Sequence, residues 1–571
     1  MLRRLLFTAS SVAAGLASAP APLNIVMMTS DSMDGRVLDG AQHLGKAVML
    51  PALRSLAARG TNFVSAYAAS PVCGPSRVAA LTSRLPHDTG TWNNYQELPA
   101  DITGALDASC VRLYGAARCG AWAARYPTPG GILFDAFAEA GYEIKVLGKV
   151  DVGANVVRRY ADAGDQADHT GPEARTVPRG AGLLRNSMAW NGWHAATDDA
   201  ANPIDDNTTD AAVRWLQARA ARGAAAPPFL LYYGLNLPHE PFTTNATWLA
   251  RVDASRINRP WAPNSSAALH PYDWHMSVSK GCTEAANTEE AMMLVRRVYL
   301  AMCAQADANH GRVLAALDAL NLTASTLVVY WSDHGEMAFD ARQVLKDSFR
   351  DGSARVPLIF AGPGVAANRT VAAHASLLDL WPTLADLTGV RAPPGARGIS
   401  LAPDMRAGAP PPAAGAGSDR AVAGEFFAEN SDTGSFFLRQ GDLKLIAFGH
   451  SFPWFTPQAY SAQLFNLTAD PTEEVDLAPA MPGVVASMDA ALVAALGRSY
   501  EDIDAEVMSN DLLIFQDYLT ANMTLSQVRR MLADTYKGFD DADWARVQLW
   551  NASTPGQWRA RPATVLPADS G

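Results

Sequence analysis

The sequence predicts an α/β fold, with a large central, mostly parallel sheet flanked by helices and a smaller C-terminal subdomain around a short antiparallel sheet. Short apolar runs rich in β-branched and aromatic residues recur up to residue 361, as is typical of strands buried on both faces. Helical patterns separate these runs, and such an alternation indicates a parallel sheet. Beyond residue 420 strand patterns follow one another directly, which indicates antiparallel pairing.

The individual elements follow from the spacing of apolar residues. The predicted strands of the large sheet cover residues 23–29, 144–147, 229–235, 326–331 and 356–361. Helical spacing predicts helices over 51–59, 131–141, 208–222, 289–318 and 376–388. Because His310 lies among leucines and alanines of such a helix, we interpret it as structural. In the C-terminal part the patterns predict a hairpin over 434–448, turning near residues 440–442, and a short strand over 464–467.

Length, composition and charge limit the class of protein. A chain of 571 residues with 49% hydrophobic and 18% charged residues is long enough for a large core and ordinary for a globular protein. Its formal net charge of −11 argues against a general binder of nucleic acids or membrane surfaces. We expect a catalytic domain over 22–402, a linker rich in alanine, glycine and proline over 403–420, and a C-terminal subdomain over 421–571.

Residues 1–21 have the pattern of a secretory signal peptide. Two arginines precede an apolar stretch from Leu5 to Leu16, and the small residues 17–19 follow. This stretch is too short to span a bilayer, and no later segment predicts a transmembrane helix. Eight N-x-Ser/Thr sequons also favour the secretory pathway, with a lysosomal or secreted destination; they start at Asn207, Asn245, Asn264, Asn321, Asn368, Asn466, Asn522 and Asn551.

Polar residues cluster directly after four of the predicted strands. Open α/β sheets bind ligands outside the carboxyl ends of their strands, so this placement predicts an active site at one edge of the sheet. Capping residues alone explain four such clusters poorly. The clusters are 30–34 (Ser-Asp-Ser-Met-Asp), 148–151 (Gly-Lys-Val-Asp), 237–241 (Leu-Pro-His-Glu-Pro) and 332–336 (Ser-Asp-His-Gly-Glu).

The residue types in and near these clusters suit the binding of a cation and an anion. Asp31 and Asp333 are able to share one hard cation, although each alone is also typical of a turn or helix cap. Lys149 and Lys346 are able to neutralise an anionic group, and the alternative for each is a solvated surface lysine. His239 lies in a loop between two prolines, which indicates a pre-positioned acid or ligand.

Residues 73–77 read Cys-Gly-Pro-Ser-Arg and form the most informative motif of the chain. One thiol without a partner makes no ligand set for a metal, and the surroundings lack the signature of a cysteine protease. The motif matches C-x-P-S-R, the sequence in which sulfatases have a cysteine oxidised to Cα-formylglycine.

Together with the four clusters, this motif resembles the sulfatase family of the alkaline-phosphatase-like superfamily, over nearly the whole chain after the signal peptide. The clusters at 30–34 and 332–336 resemble the family's two metal motifs. Ser83, at the end of Leu81-Thr82-Ser83, stands where the modification motif usually has glycine. Two further segments resemble the family's C-terminal subdomain, namely 443–446 and 464–467.

The motifs are most similar to one branch of the family, whose members act on glucuronate 2-sulfate in lysosomes. The segments that carry this similarity are 31–36, 92–95 and 148–151. Three residues depart from the general pattern and fit that branch, namely Ser32 for a second aspartate, His334 for asparagine and Asp151 for histidine. The resemblance therefore implies a sulfuric ester hydrolase acting on 2-O-sulfated uronates of polysaccharides or glycosaminoglycans.

The resemblance also implies a nucleophile and a metal. A formylglycine-generating enzyme would convert Cys73 during maturation, and the hydrated formylglycine would attack sulfur. Arg77 would orient this group and offset its charge. The implied metal is one Ca²⁺ ion, with the ligand set Asp31, Cys73 (as formylglycine), Asp333 and His334.

The sulfate itself would be held by three side chains that resemble the family's substrate-binding residues, Lys149, His239 and Lys346. His239 would be the acid that protonates the leaving oxygen. Asp151 or His87 would assist the second step, in which sulfate is released. The implied partner is a sulfated carbohydrate rather than a nucleic acid.

Conversion of Cys73 would leave four cysteines in the chain. The pairings closest in sequence are Cys110 with Cys119 and Cys282 with Cys303, and free buried thiols are the alternative.

Two other functions share these motifs. A phosphoester or phosphonate hydrolase on the same fold is one, because a fold does not determine the chemistry it supports. A non-catalytic protein that binds sulfated glycans is the other. The presence of Cys73, Arg77, Lys149, His239 and Lys346 argues against a protein without catalytic activity.

Overall fold

The computed structural model describes most of the chain: residues 22–39, 43–94, 98–153, 158–162, 196–197, 203–223, 225–265, 267–406, 420–428, 431, 433–449 and 460–507, with 529, 541, 544 and 545. The predicted signal peptide, most of the predicted linker and the sequons at Asn522 and Asn551 lie outside these residues. Within them, no helix combines the length and apolar character that a membrane crossing requires.

The strands are numbered in chain order. They are β1 (Asn24–Ser30), β2 (Gly60–Phe63), β3 (Ala66–Tyr67), β4 (Glu143–Gly148), β5 (Ala196–Thr197), β6 (Phe229–Gly234), β7 (Thr243–Thr244), β8 (Thr326–Ser332), β9 (Arg355–Val356), β10 (Leu358–Ala361), β11 (Arg369–Val371), β12 (Ala375–Ser376), β13 (Val422–Phe426), β14 (Ser435–Gln440), β15 (Leu443–Phe448) and β16 (Gln463–Asn466).

The large sheet has seven strands in the order β11-β2-β10-β8-β1-β6-β4. β1 pairs in parallel with β6 on one side and with β8 on the other, and β4 pairs in parallel with β6. Side chains of β1 alternate between two cores, with Val26 and Met28 in one and Ile25 and Met27 in the other. The predicted, mostly parallel sheet, buried on both faces, is therefore confirmed.

Helices cover both faces of this sheet. Val298 and Leu216 belong to the core on one face, and Phe134 and Leu384 belong to the core on the other. The α-helices are His43–Ala47, Pro51–Arg59, Cys73–Thr82, Pro86–Thr89, Ala108–Arg125, Leu133–Glu139, Pro203–Ala221, Ala246–Leu249, Pro271–Ser279, Glu289–Ala319, Asp351–Ala354, Leu380–Thr388, Ala402–Met405 and Pro482–Leu496.

The second sheet is antiparallel, in the order β13-β14-β15-β16. Gln440 at the end of β14 pairs with Leu443 at the start of β15, so the hairpin turns at the predicted position. The short strand predicted at 464–467 is β16. The C-terminal antiparallel sheet is therefore confirmed, while the proposed domain boundaries at 402 and 420 stay predictions.

A buried cluster of charges joins the second sheet to the helix Asp351–Ala354 of the preceding part of the chain. Lys444 on β15 lies with Nζ 2.7 Å from Oδ1 of Asp351 and 2.5 Å from Oε1 of Glu473. The same ammonium donates to the backbone carbonyl of Phe349 at 2.8 Å. All three charged side chains are almost completely buried, so each depends on the others for its compensation.

Several predicted elements differ from the structure in their extent, and the helix predicted at 208–222 begins five residues earlier, at Pro203. The strand predicted at 356–361 is two strands, because Pro357 lacks the amide hydrogen that would continue the pairing, and β10 runs antiparallel to β8. The helix predicted at 376–388 begins only at Leu380. Ser376 instead ends β12 and caps a short 3₁₀ turn, accepting a hydrogen bond from the amide of Leu378.

Ser83 ends the helix that begins at Cys73, and it adopts the left-handed conformation with φ of 56°. Glycine is favoured at such a position because it has no Cβ to clash. Here the serine hydroxyl donates to the carbonyl of Leu378 at 2.7 Å and accepts from the amide of Gly398 at 3.1 Å. These two bonds offset part of the conformational cost.

One of the two predicted disulfides is present. Cys110 and Cys119, nine residues apart in the chain, are bonded, with their Cα atoms 5.7 Å apart. The pairing of Cys282 with Cys303 is wrong, since both are free buried thiols. Cys282 donates to the carbonyl of Lys280 at 3.7 Å, while Cys303 lies in the middle of the helix Glu289–Ala319, facing the core.

Candidate active site

The four polar clusters meet at one edge of the large sheet. They follow β8, β1, β6 and β4, which are adjacent and parallel, so their carboxyl ends lie side by side. Asp31 follows β1, Asp333 follows β8, Lys149 follows β4 and His239 follows β6 in a short loop. This edge is the one at which open α/β sheets bind ligands.

Cys73 is the first residue of the helix Cys73–Thr82, whose amino terminus points into this edge. Its Sγ lies 3.2 Å from Nε2 of His334, 3.9 Å from Nζ of Lys149 and 4.0 Å from Oδ1 of Asp31. Burial raises the pKa of the Cys73 thiol and Asp31 adds to the rise, against the two nearby lysines. The side chain therefore lies among charged groups while remaining a neutral thiol.

Arg77 lies one turn further along the same helix and is completely buried. Its Nε donates to Oδ2 of Asp333 at 2.7 Å, and Nη2 donates to Oδ2 of Asp31 at 3.1 Å. Nη1 donates at 2.9 Å to both the carbonyl of Lys149 and the hydroxyl of Tyr232. One guanidinium thus connects the elements that carry the two carboxylates and the first lysine.

The side chains of Asp31, Cys73, Asp333 and His334 offer donor atoms that all lie within 4.8 Å of one another. His334 donates through Nδ1 to the carbonyl of Gly335 at 2.9 Å, which leaves the lone pair of Nε2 directed at the other donors. Two carboxylates, an imidazole nitrogen and the side chain at position 73 make a donor set that fits one divalent cation.

The charges of this group are unevenly distributed. Burial alone would raise the pKa of Asp31, but Lys149, His239, His334 and Arg77 together hold it well below its usual range. Burial and the charge of Asp31 raise the pKa of Asp333, although Arg77 opposes this. A bound cation would relieve the repulsion between the two carboxylates.

A second group of side chains borders the same space. Lys149 lies with Nζ 2.9 Å from Oδ2 of Asp31, and Lys346 donates through Nζ to Nε2 of His239 at 2.8 Å. Both ammonium groups are almost completely buried. Burial would lower the pKa of each lysine, but the surrounding negative groups raise it instead, so both remain cationic.

All members of the predicted cation and anion sites are therefore adjacent. The profile of the family described as Sulfatase matches residues 24–390, which include every one of them. The chain belongs to the sulfatase family. Arylsulfatase K from Mus musculus is 32% identical over 516 residues, which cover 85% of this sulfatase and 83% of that relative. The chain is accordingly a sulfuric ester hydrolase.

Solved structures share the fold of this sulfatase. A phosphonate monoester hydrolase from Silicibacter pomeroyi matches with a TM-score of 0.62 at 20% identity, over 84% of this chain and 96% of the other. A 2-O GAG sulfatase matches with a TM-score of 0.58 at 22% identity, over 84% of this chain and 93% of the other. At these identities the likeness concerns the fold alone.

The loop that carries Lys346 is held in an unusual backbone conformation. Ala338, Phe339, Ala341, Arg342, Leu345 and Asp347 all have positive φ values, between 44° and 72°. Such non-glycine conformations persist only where the surroundings fix them. Oε1 of Glu336 accepts from the amides of Ala338 and Leu345, and Lys280 donates to the carbonyl of Lys346. These contacts fix the position of the second lysine.

Three other predicted residues have distinct surroundings. Oδ2 of Asp151 lies 3.6 Å from Nζ of Lys149, at the border of the site. His87 contacts Glu425, with Nδ1 2.7 Å from Oε2, and Arg397 rather than the residues at the sheet edge. His310 is buried beneath the sheet and bonds to the hydroxyl of Ser30 at 2.9 Å, which confirms its structural interpretation.

Sequence analysis missed several supporting residues. Tyr232 receives a hydrogen bond from Arg77, and Asn94 accepts one from the amide of Gly74 at 2.9 Å. Ser76 donates to the carbonyl of Asp333 at 2.6 Å. Ser76 and Asn94 lie in segments that carried the resemblance, so the signal existed. Nothing in the run of β6 distinguishes Tyr232 from Tyr233, which faces the opposite core.

Proposed function

We propose that this sulfatase removes the 2-O-sulfate of uronate residues in sulfated polysaccharides, through a formylglycine made from Cys73. The observation that carries the proposal is the position of Cys73. Its side chain begins a helix, points into the space between Lys149, His334 and Asp31, and is backed by Arg77 one turn later. A formylglycine-generating enzyme would carry out the conversion during passage through the secretory pathway.

Hydrated formylglycine would supply a nucleophilic hydroxyl in the place of Sγ, and a Ca²⁺ ion would supply positive charge beside it. Asp31, Asp333, His334 and residue 73 would hold the ion. Arg77 keeps both carboxylates in place through its bonds of 2.7 and 3.1 Å. The fixed geometry of these groups reduces the reorganisation that the reaction requires.

The remaining residues act on the sulfate and on the leaving group. Lys149 and Lys346 stay cationic in the buried site, so they offset the charge of the sulfate oxygens. His239 would donate a proton to the oxygen that leaves, because a sugar alkoxide is a poor leaving group. Asp151, at the border of the site, would accept the proton that is lost when sulfate is released.

The substrate class rests on similarity to arylsulfatase K and on motifs at 31–36, 92–95 and 148–151. The solved 2-O GAG sulfatase supports it by showing that this fold serves such a reaction. A sulfated polysaccharide is a polyanion, whereas this chain is acidic overall with a net charge of −11. The buried lysines would therefore provide local attraction within an acidic protein. We also propose a lysosomal or secreted localisation, which the predicted signal peptide and the sequons support.

Two measurements test the proposal. Peptide mass spectrometry across position 73, on protein from its native source, should show the thiol replaced by an aldehyde; a fully unmodified cysteine would contradict the mechanism. Release of sulfate from a disaccharide with 2-O-sulfated uronate should far exceed release from one sulfated only at the 6-position of glucosamine. Equal rates would refute the substrate class but not the mechanism. Matched aryl sulfate and aryl phosphate esters would reveal a phosphoester hydrolase.

A further inference from the structure

The two nitrogens of the His239 ring have different partners. Nε2 lies 2.8 Å from Nζ of Lys346. Nδ1 lies 2.7 Å from the backbone carbonyl of Glu240 and 3.1 Å from its carboxylate oxygen Oε2. An ammonium group only donates and a carbonyl only accepts, so Nδ1 carries the proton of the neutral ring. Any second proton on the ring must therefore lie on Nε2, the atom that faces the sulfate-binding lysine.

The two neighbours have opposite effects on that second proton. The ammonium of Lys346 disfavours a positive ring at contact distance, whereas a carboxylate on the far side favours it. Oε2 of Glu240 is buried, although the side chain as a whole is 22% exposed. The carboxylate is close enough to both groups to influence them, because Glu240 is also among the charges that raise the pKa of Lys346.

We propose that Glu240 is the positioning residue that makes His239 an effective acid for poor leaving groups. It fixes the ring orientation through Nδ1, and its negative charge offsets Lys346 so that Nε2 can carry a proton. This inference deepens the proposed function, since it rests on the role of His239 as the acid.

The proton transfer is balanced without a further reactant. As the bond between sulfur and the bridging oxygen breaks, its electron pair stays on the oxygen, and the proton on Nε2 moves to that oxygen. The alcohol leaves neutral, while the other proton stays on Nδ1, which donates it to Glu240. The formylglycine hydroxyl that bonds to sulfur in the same step loses one proton, and this equivalent restores the proton on Nε2 before the next turnover. The water that the hydrolysis consumes rehydrates the aldehyde and replaces the oxygen that leaves with the sulfate.

Leaving-group dependence tests this role, because a merely structural residue would affect all esters alike. The probes are 4-nitrophenyl sulfate, whose leaving group needs little protonation, and 4-methoxyphenyl sulfate, whose leaving group needs more. Glu240→Gln should lower kcat/KM for the methoxy ester about tenfold more than for the nitro ester, as general acid catalysis contributes roughly a hundredfold or more. Glu240→Asp, which keeps the charge, should recover part of the loss.

Glu336→Gln is a control for the geometry of the loop that carries Lys346, because burial raises the pKa of Glu336 to about 8 and glutamine resembles its neutral form. Glu336 also lies close enough to Lys346 to interact with it, but its carboxylate bonds to the amides of Ala338 and Leu345 rather than to His239. Its substitution should change kcat/KM for the two esters by the same factor. The melting temperature of each variant separates loss of folding from loss of proton transfer.

His239→Asn distinguishes failure of this inference from failure of the proposed acid. The expected result is a selective loss of kcat/KM for the methoxy ester in both His239→Asn and Glu240→Gln, but not in Glu336→Gln. Selectivity in His239→Asn alone would overturn the role of Glu240 and leave the acid assignment intact. An equal loss of kcat/KM for the two esters in His239→Asn would overturn the acid assignment and the role of Glu240 together. Equal selectivity in Glu336→Gln would mean that Glu240 acts through Lys346, which also overturns the inference.

Discussion

Nε of Arg77 lies 2.7 Å from Oδ2 of Asp333, and both side chains are completely buried. The pair joins the helix that starts at Cys73 to the end of β8, so the nucleophile position and the second carboxylate form one unit. Taking an ion pair out of water is costly, and such a pair is stable only while both partners are present.

Replacing Arg77 by methionine should therefore lower the free energy of unfolding by about 3–5 kcal/mol, because Asp333 would lose its guanidinium partner and Asp31 would keep Lys149 but lose Arg77. Urea unfolding measures the change. Arg59→Met is the matched control, since Arg59 is an exposed helical arginine 3.4 Å from Asp318 and should cost less than about 1 kcal/mol. Similar losses in the two variants would show that Arg77 compensates nothing.

Removal of divalent cations should inactivate the enzyme and also destabilise it. The two carboxylates repel each other, and a cation that binds only the folded chain would add about 2.7 kcal/mol at a hundred times its dissociation constant. Calorimetry after treatment with EGTA should show a lower Tm that Ca²⁺ restores. Asp31→Asn should abolish this Ca²⁺-dependent rise. A Tm that is insensitive to chelation would contradict a resident cation at these residues.

Cys73→Ala should abolish turnover and leave the fold intact. The side chain is small and removes no ion pair, so the expected loss of unfolding free energy is only about 1–2 kcal/mol. Aryl sulfate hydrolysis and urea unfolding measure the two effects. Cys303→Ala changes an equally buried thiol outside the site and should retain activity. A fully active Cys73→Ala protein would refute the proposed nucleophile.

Alkylation of the unfolded, unreduced chain should label Cys282 and Cys303 but not Cys110 or Cys119. The first two are free thiols and the last two form a disulfide. Label at position 73 should appear only in molecules in which the cysteine was not converted. Mapping of the tryptic peptides would show which of these cysteines carry the label. A peptide linking Cys282 to Cys303 would contradict the structure.

Two histidines should affect the pH dependence of stability in opposite directions. Burial lowers the pKa of His310 from 6.5 to about 3, so the unfolded chain binds more protons than the folded chain between these pH values. The free energy of unfolding therefore decreases as the pH is lowered. In His310→Leu the loss of stability between pH 7 and 5 should shrink by about 2 kcal/mol. Urea unfolding at both pH values provides the comparison.

His87 supplies the control of opposite sign. Burial opposes protonation there, but Glu425 and Asp88 raise its pKa above 6.5, so its contribution is present at low pH and is lost as the pH rises through the folded value. His87→Asn should therefore cost more stability at pH 5 than at pH 8. The same direction of change in both variants would contradict these assignments.

Much of the architecture could be predicted because burial leaves a direct trace in the sequence. Residues 25–28 of β1 are all apolar because Val26 and Ile25 enter different cores. The site was predictable for a related reason, as Asp31 and Lys149 are polar residues directly after such runs. Chain order, however, does not say which strands are neighbours. The side-by-side arrangement of β8, β1, β6 and β4 depends on pairing between segments far apart in sequence.

The features that could not be predicted depend on tertiary contacts, which leave no local pattern in the sequence. The pairing of Cys282 with Cys303 was suggested by proximity in sequence, but Cys303 faces the core from the middle of a long helix. Glu336 and Lys280 hold the loop of Lys346 through backbone groups, which any residue presents equally. Glu240 acquires its proposed role from its distance to the neighbouring ring, which no local sequence pattern encodes.

Lys444 has a consequence for any attempt to shorten this enzyme. It is supplied by the second sheet, yet two of its partners, Asp351 and Phe349, follow the loop that positions Lys346. A fragment that stops near residue 406 would keep Asp351 without the ammonium that neutralises it, at a cost of about 3–5 kcal/mol. The C-terminal quarter is therefore a part that the catalytic machinery needs, and minimal versions of the protein should be sought by trimming elsewhere.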